Sequence, residues 1–184
     1  MLAPTNENTL FLTPIGSRLY GSDHPGSDYD YYRVLKNDPN RHPGSKLPRA
    51  NQAVVGDQDN VVLSFAAFVA AADRAAPQAL EAMFSAEAII DHIADYRQGY
   101  HASMVEMRSV YSRTARAFSF SPDVKRRFHA LRIVHNLNEA LETNGRFNPR
   151  LERPTVELYW SFAEQGTEAT QEFMHQLSTL DLSK

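Results

Sequence analysis

Ile15-Gly16-Ser17-Arg18-Leu19-Tyr20-Gly21, with Ser27-Asp28-Tyr29-Asp30-Tyr31-Tyr32 beginning ten residues past the serine, is the stretch on which the reading of this chain turns. The first half is a Gly-Ser turn. Gly16 lets a phosphate approach the backbone with no side chain in the way. Ser17 offers a hydroxyl and an N–H, a helix starting there would add its positive dipole end, and Arg18 could reach a triphosphate oxygen. The second half sets Asp28 and Asp30 at i and i+2. On an extended strand two such carboxylates point the same way. A phosphate-friendly turn beside convergent carboxylates is what holding a metal-bound nucleoside triphosphate requires.

Outward from this stretch, Thr9–Ile15 (TLFLTPI) reads as a short buried strand that ends at the turn, and Ser22–Ser27 as a turn cluster. Asp28–Leu35 alternates, with Asp28, Asp30, Tyr32 and Val34 on one face and Tyr29, Tyr31, Arg33 and Leu35 on the other. Residues 36–50, rich in Pro, Asn and basic side chains, read as a mobile loop. Two short strands follow, 53–55 and 60–63, joined through residues 56–59. From Ser64 the pattern is helical. An alanine-rich helix covers 64–75, and Pro77 starts one that runs to about Tyr96. A third covers 99–118. Ser121-Pro122 opens a fourth that Asn144-Gly145 can stop, and 154–165 and 167–180 are shorter helices.

Phosphoryl and nucleotidyl transfer need charge neutralised around the phosphorus and the attacking hydroxyl aligned, a task two Mg²⁺ ions commonly perform with bridging carboxylates. Mg²⁺ prefers hard oxygen ligands. Asp28 and Asp30 supply two. A third carboxylate on a neighbouring strand would complete the set; Asp59 is chosen because it directly precedes the apolar run 60–63, with Asp57 in reserve.

The pattern hydrophobic-Gly-Ser, ten residues, Asp-hydrophobic-Asp resembles the DNA-polymerase-β-like nucleotidyltransferase superfamily. The longer reading, Gly16 to Gly21 and Ser27 to Asp30, is most similar to the predicted nucleotidyltransferases associated with RNA-repair operons. Pro77-Gln78-Ala79-Leu80-Glu81 is similar to that family's Pro-x-x-hydrophobic-Glu helix, and 125–132 (KRRFHALR) to its His-x-x-Arg helix. Leu141 to Gly145 and Arg153-Pro154 to Leu158 follow in the expected order, so the likeness covers roughly residues 9–165. Ala76 stands where Asn would be expected before Pro77, and the helix around Ala67 lacks an expected basic residue. The resemblance implies an α+β fold: a small mixed β-sheet palm with helices over residues 1–96, and a helical C-terminal unit over 97–184 packed on it, with the active site in the cleft between. It also implies that Asp28 and Asp30 hold both metal ions, and that Asp59 holds the catalytic one and orients the attacking hydroxyl. A nucleoside monophosphate would pass from an NTP such as ATP to a hydroxyl, with release of pyrophosphate. Mg²⁺, or Mn²⁺ in its place, is the implied cofactor.

The 184 residues carry 19 basic and 22 acidic side chains and no cysteine, which rules out thiol catalysis and thiolate metal sites. A cytoplasmic protein with no membrane segment is expected, since neither a signal-like N-terminus nor a transmembrane-length apolar run is present. Charge is uneven: residues 1–96 hold 7 basic and 12 acidic side chains, whereas 97–153 hold 11 and 5. A basic middle beside an acidic motif suits a polyanionic substrate. On a helical wheel Lys125, His129, Arg132 and Asn136 share one polar stripe, opposite Val124, Phe128, Leu131, Val134 and Leu141. Taken alone such a stripe reads as a solvated face; the family likeness at His129 and Arg132 makes Lys125, His129 and Arg132 candidates for binding phosphate or the acceptor.

Three functions remain in view. The first is a nucleotidyltransferase acting on a nucleic-acid end, a small molecule or a protein hydroxyl. The second is a non-catalytic nucleotide-binding regulator or antitoxin-like protein of the same fold. The third is a nucleic-acid-binding module built on the basic middle.

Overall fold

The structure, a computed structural model, describes residues 8–36, 51–55 and 58–179, and of residues 51–60 it describes the backbone only. The expected loop over 36–50 falls almost wholly outside the described residues. The fold is mixed α+β, with eight helices among the described residues, and the chain divides into two compact units, Met1–Tyr100 and His101–Lys184.

The first unit contains β1 (Thr9–Ile15), α1 (Ser17–Tyr20), β2 (Asp30–Leu35), β3 (Asn51–Val55), β4 (Gln58–Ser64), α2 (Phe65–Asp73), α3 (Pro77–Phe84), β5 (Ile90–Asp91) and α4 (Ala94–Gly99). The strands form one mixed sheet in the order β3-β4-β2-β1-β5. β1 and β2 are antiparallel, with Ile15 opposite Asp30 and Thr13 opposite Tyr32. β2 and β4 are parallel, with Tyr31 opposite Asn60. Side chains alternate along a strand, and both faces of the sheet carry buried residues. Phe11 and Tyr32 meet Phe68 of α2 at ring-centroid distances of 6.0 and 5.6 Å. Leu12 and Tyr31 cluster with Ile90 on the other face.

The helices start where capping chemistry puts them. Ser64 caps α2 by accepting from the Ala67 N–H, and Pro77 occupies the first turn of α3. The helix expected from Pro77 to Tyr96 ends instead at Phe84. Ser85 is extended, and Ile90–Asp91 adds a two-residue strand to the edge of β1 before α4 begins. Arg97 of α4 fixes this detour. Its buried guanidinium donates to the Met83 carbonyl at 2.9 Å, to the Ser85 carbonyl and to the Asp91 carboxylate, and it lies over the Phe11 ring.

The second unit holds α5 (Met104–Ser119), α6 (Val124–Glu142), α7 (Arg153–Gln165) and α8 (Thr167–Thr179). The helix expected from Gly99 starts at Met104, because Ser103 is its N-cap, with the serine side chain accepting from the Glu106 N–H. α6 starts two residues later than expected, as Asp123 rather than Ser121 is its N-cap. Its stop is the expected one, with Asn144 and Gly145 both at positive φ and the Gly145 N–H returning to the Ala140 carbonyl. Phe128, Leu131, Leu151, Val156, Tyr159 and Ala163 form this unit's core, with Trp160 stacked on Phe128 at 4.6 Å. No helix among the described residues is long and apolar enough to cross a membrane.

Candidate functional site

The β1–β2 pairing brings the two halves of the opening motif together. Ile15 is the last residue of β1 and lies opposite Asp30, the first of β2, so the Gly-Ser turn and the second aspartate occupy the same end of the sheet. Gly16 has φ 69° and ψ −150°, a region essentially reserved for glycine. The Asp30 carboxylate fills the space beside it: a Cβ added at Gly16 would lie 2.8 Å from Asp30 Oδ2. Position 16 is therefore glycine for two independent reasons. From Ser17 the chain makes a single helical turn, α1, closed by the Gly21 N–H donating back to the Ser17 carbonyl. Tyr20 on that turn is buried and donates to Glu81 Oε2 at 2.8 Å, which places Glu81 as a buried acceptor in the first unit.

Asp28 departs from the expected strand. β2 begins at Asp30, and Asp28 and Tyr29 belong to the preceding loop, where both are exposed. The alternation seen in the sequence thus fails at its first two residues, because the Ser22–Ser27 turn is still unwinding there. The loop has its own order. The His24 N–H donates to Ser27 Oγ at 2.9 Å, the Ser27 N–H to the His24 carbonyl at 2.9 Å, and the Gly26 N–H to His24 Nδ1 at 3.2 Å. Arg18 grips the same loop, donating to the Ser27 carbonyl at 2.7 Å and the Asp28 carbonyl at 3.1 Å. It also pairs with Asp23 at 3.5 Å and lies 3.6 Å from the Tyr29 ring centroid.

Asp59 lies on β4. The parallel register pairs Tyr31 with Asn60, so the residues directly before them, Asp30 and Asp59, stand at the same level on adjacent strands. The Asp59 side chain and the whole of Asp57 lie outside the described residues. Among the described residues, no three His, Cys, Asp or Glu side chains gather as ligands for one ion. The donor chemistry fits a hard cation nonetheless. Asp28 and Asp30 are oxygen donors, and Asp30 faces a turn whose lack of a Cβ leaves its carboxylate close to the backbone.

The second constellation belongs to α6 and is not a solvated face. Lys125 is exposed, but Arg132 is 4% and Asn136 0% exposed, while Leu141 of the expected apolar face is exposed. Burial, reinforced by the Arg132 and Lys125 charges, lowers the His129 pKa to about 3. His129 is therefore neutral at pH 7. Its Nδ1 accepts from Arg132 Nε at 3.4 Å, and it adds no charge for phosphate and little basicity for proton transfer. Any cationic role on this stripe falls to Lys125 and Arg132. Both polar atoms of the Asn136 carboxamide lack a hydrogen-bond partner among the described residues. Sequence reasoning also missed Arg127, a neighbour in the same basic run. It is buried, with Nε donating to the Ala163 carbonyl and Nη1 to the Ser121 carbonyl, both at 2.7 Å.

No family model matches the chain, and no curated protein matches it.

Proposed function

We propose that this chain is a divalent-metal-dependent nucleotidyltransferase. The reading is carried by one observation: the register Ile15–Asp30 seats the Gly16-Ser17 turn against the Asp30 carboxylate, with Asp28 two residues before it and Asp59 level with it on the next strand. In this reading Gly16 and Ser17 receive the triphosphate, whose oxygens meet the open backbone and the serine hydroxyl. Asp28, Asp30 and Asp59 are the residues that would hold Mg²⁺ or Mn²⁺. When bound, the metal neutralises charge on the phosphates and on the attacking oxygen. The acceptor hydroxyl oxygen forms a bond to the α-phosphorus of an NTP such as ATP and gives up its proton to water, the bond from that phosphorus to the bridging oxygen breaks, and pyrophosphate leaves. Asp59 orients the hydroxyl. In the second unit Lys125 and Arg132 are the candidates for binding phosphate, with the neutral His129 as a hydrogen-bonding neighbour. The acceptor class stays open between a nucleic-acid end, a small molecule and a protein.

The test is to incubate the protein with each labelled NTP, Mg²⁺ or Mn²⁺, and sets of nucleic-acid, small-molecule and protein acceptors. Label transfer with pyrophosphate release is the expected result, and Asp28→Asn with Asp30→Asn should reduce it by at least about 10²-fold. A folded protein that neither transfers label nor releases pyrophosphate across these sets overturns the proposal. Nucleotide binding without turnover, together with a biological effect that survives the double substitution, would instead assign a regulator using nucleotide as a ligand.

A further inference from the structure

We propose that Arg18 is a positioning residue that presents Asp28, rather than a ligand of the triphosphate. The inference rests on the nucleotidyltransferase reading above. Asp28 lies outside the sheet, so no strand ladder holds it, and a carboxylate required at a fixed place must be held by something else. Arg18 is the side chain that spans its loop. The guanidinium fork reaches two successive carbonyls, Ser27 at 2.7 Å and Asp28 at 3.1 Å, pairs with Asp23 at 3.5 Å, and covers the Tyr29 ring at 3.6 Å. These partners lie on both sides of Asp28 in sequence. Arg18 itself is anchored on α1, one residue past Ser17. The phosphate-facing turn and the metal-facing carboxylate are thus tied through one side chain, which fixes the Asp28 backbone in relation to Gly16 and Ser17. Only arginine has this geometry, since a lysine ammonium is a point donor that cannot bridge two carbonyls and stack on a ring together.

Three measurements on the full chain test the proposal: amide hydrogen exchange without nucleotide, Mn²⁺ binding with ATP followed by electron paramagnetic resonance, and ATP binding in EDTA. In Arg18→Met the His24, Gly26 and Ser27 amides should exchange about 10- to 100-fold faster, the ratio expected for losing a charged hydrogen bond. Amides of β1 and β2 should be unchanged. Mn²⁺ affinity should fall by a similar factor, while ATP affinity in EDTA stays as in the wild type. Arg18→Lys should be intermediate. In an Asp28→Asn background the Arg18→Met effect on Mn²⁺ should vanish, because the arginine acts through that carboxylate. Tyr29→Ala, at an exposed position, offers the same loop readout should Arg18→Met fail to fold. Unchanged loop exchange with intact Mn²⁺ binding in Arg18→Met overturns the positioning role alone. So does a loss of ATP affinity in EDTA with the loop unchanged, which would make Arg18 a phosphate ligand. Wild-type protein that binds neither Mn²⁺ nor ATP overturns the nucleotidyltransferase reading, and the positioning role falls with it.

Discussion

An alanine Cβ at position 16 would sit 2.8 Å from Asp30 Oδ2 on a backbone at φ 69°, so two separate penalties attach to one methyl group. The backbone penalty alone is about 1–3 kcal/mol. Gly16→Ala should therefore destabilise the protein by at least about 2 kcal/mol in urea denaturation. Combining it with Asp30→Ala should recover the steric part and leave the conformational part, a coupling that a double-mutant cycle reads directly. Additive losses would show that the carboxylate does not occupy the space beside Gly16. The motif residues were legible in the sequence because glycine, serine and aspartate carry their chemistry locally. The placement of Asp28 was not. A period-two pattern reports which faces residues would take on a strand, but it does not report where hydrogen-bonded pairing begins. Here pairing begins at Asp30. The partner of Arg18 was equally hidden, since an arginine reads the same whether it meets a phosphate or a backbone carbonyl.

Elements with strong end signals were readable. β1 occupies the expected Thr9–Ile15, α2 follows Ser64, α3 starts at Pro77, and α6 stops before Asn144-Gly145. The middle of the chain was misread where a helix-compatible run hid a break. Residues 85–93 include Ile90 and Asp91, and only the open edge of β1 makes that pair a strand. On α6 the polar stripe was open between a phosphate or acceptor surface and a solvated face, yet Arg132 on it is buried, as is Arg127 beside it, whose guanidinium is satisfied by carbonyls that no single-helix pattern reveals. Arg127 ties the start of α6 to the Ala163 carbonyl of α7 and to the Ser121 carbonyl that precedes it. Arg127→Ala should cost about 3 kcal/mol of stability, read as a lower urea midpoint with an unchanged m-value. A loss below about 0.5 kcal/mol would mean that these two bonds are made in solution only weakly. Asn136 behaves oppositely. With its buried carboxamide unpartnered among the described residues, Asn136→Leu should leave stability equal or higher.

Across the whole molecule, two half-buried histidines contribute to the response to acid. His129 is held near 3 by burial and by its cationic neighbours, and burial also lowers His135, whose Nδ1 lies 2.8 Å from the Tyr159 hydroxyl. A free histidine titrates near 6.5. Between these values the unfolded chain binds more protons than the native one, so stability falls as pH falls. It should be level in this respect above about pH 6.5 and decline from there toward pH 3 with a slope of up to about 1.4 kcal/mol per pH unit from His129, and His135 acts in the same direction. His129→Gln should flatten that decline in denaturation midpoints taken between pH 7.5 and 4.5. An unchanged slope would show that His129 protonates freely in the native state.

The sheet's short fifth strand has a consequence of another kind. β5 pairs with Phe11 and Leu12, and it is kept there by the Arg97 bonds to Met83, Ser85 and Asp91. Without it, the long apolar strand β1 would present unpaired backbone groups to any other chain in the same condition. Arg97 thus holds in place the strand that covers this edge, besides packing on Phe11. Arg97→Met should fail by concentration-dependent aggregation, seen as light scattering that rises with protein concentration before the unfolding transition is complete. Clean, concentration-independent unfolding of that variant would show that the edge needs no guard. The two-residue strand at the rim of the sheet is then what closes this part of the open edge of β1.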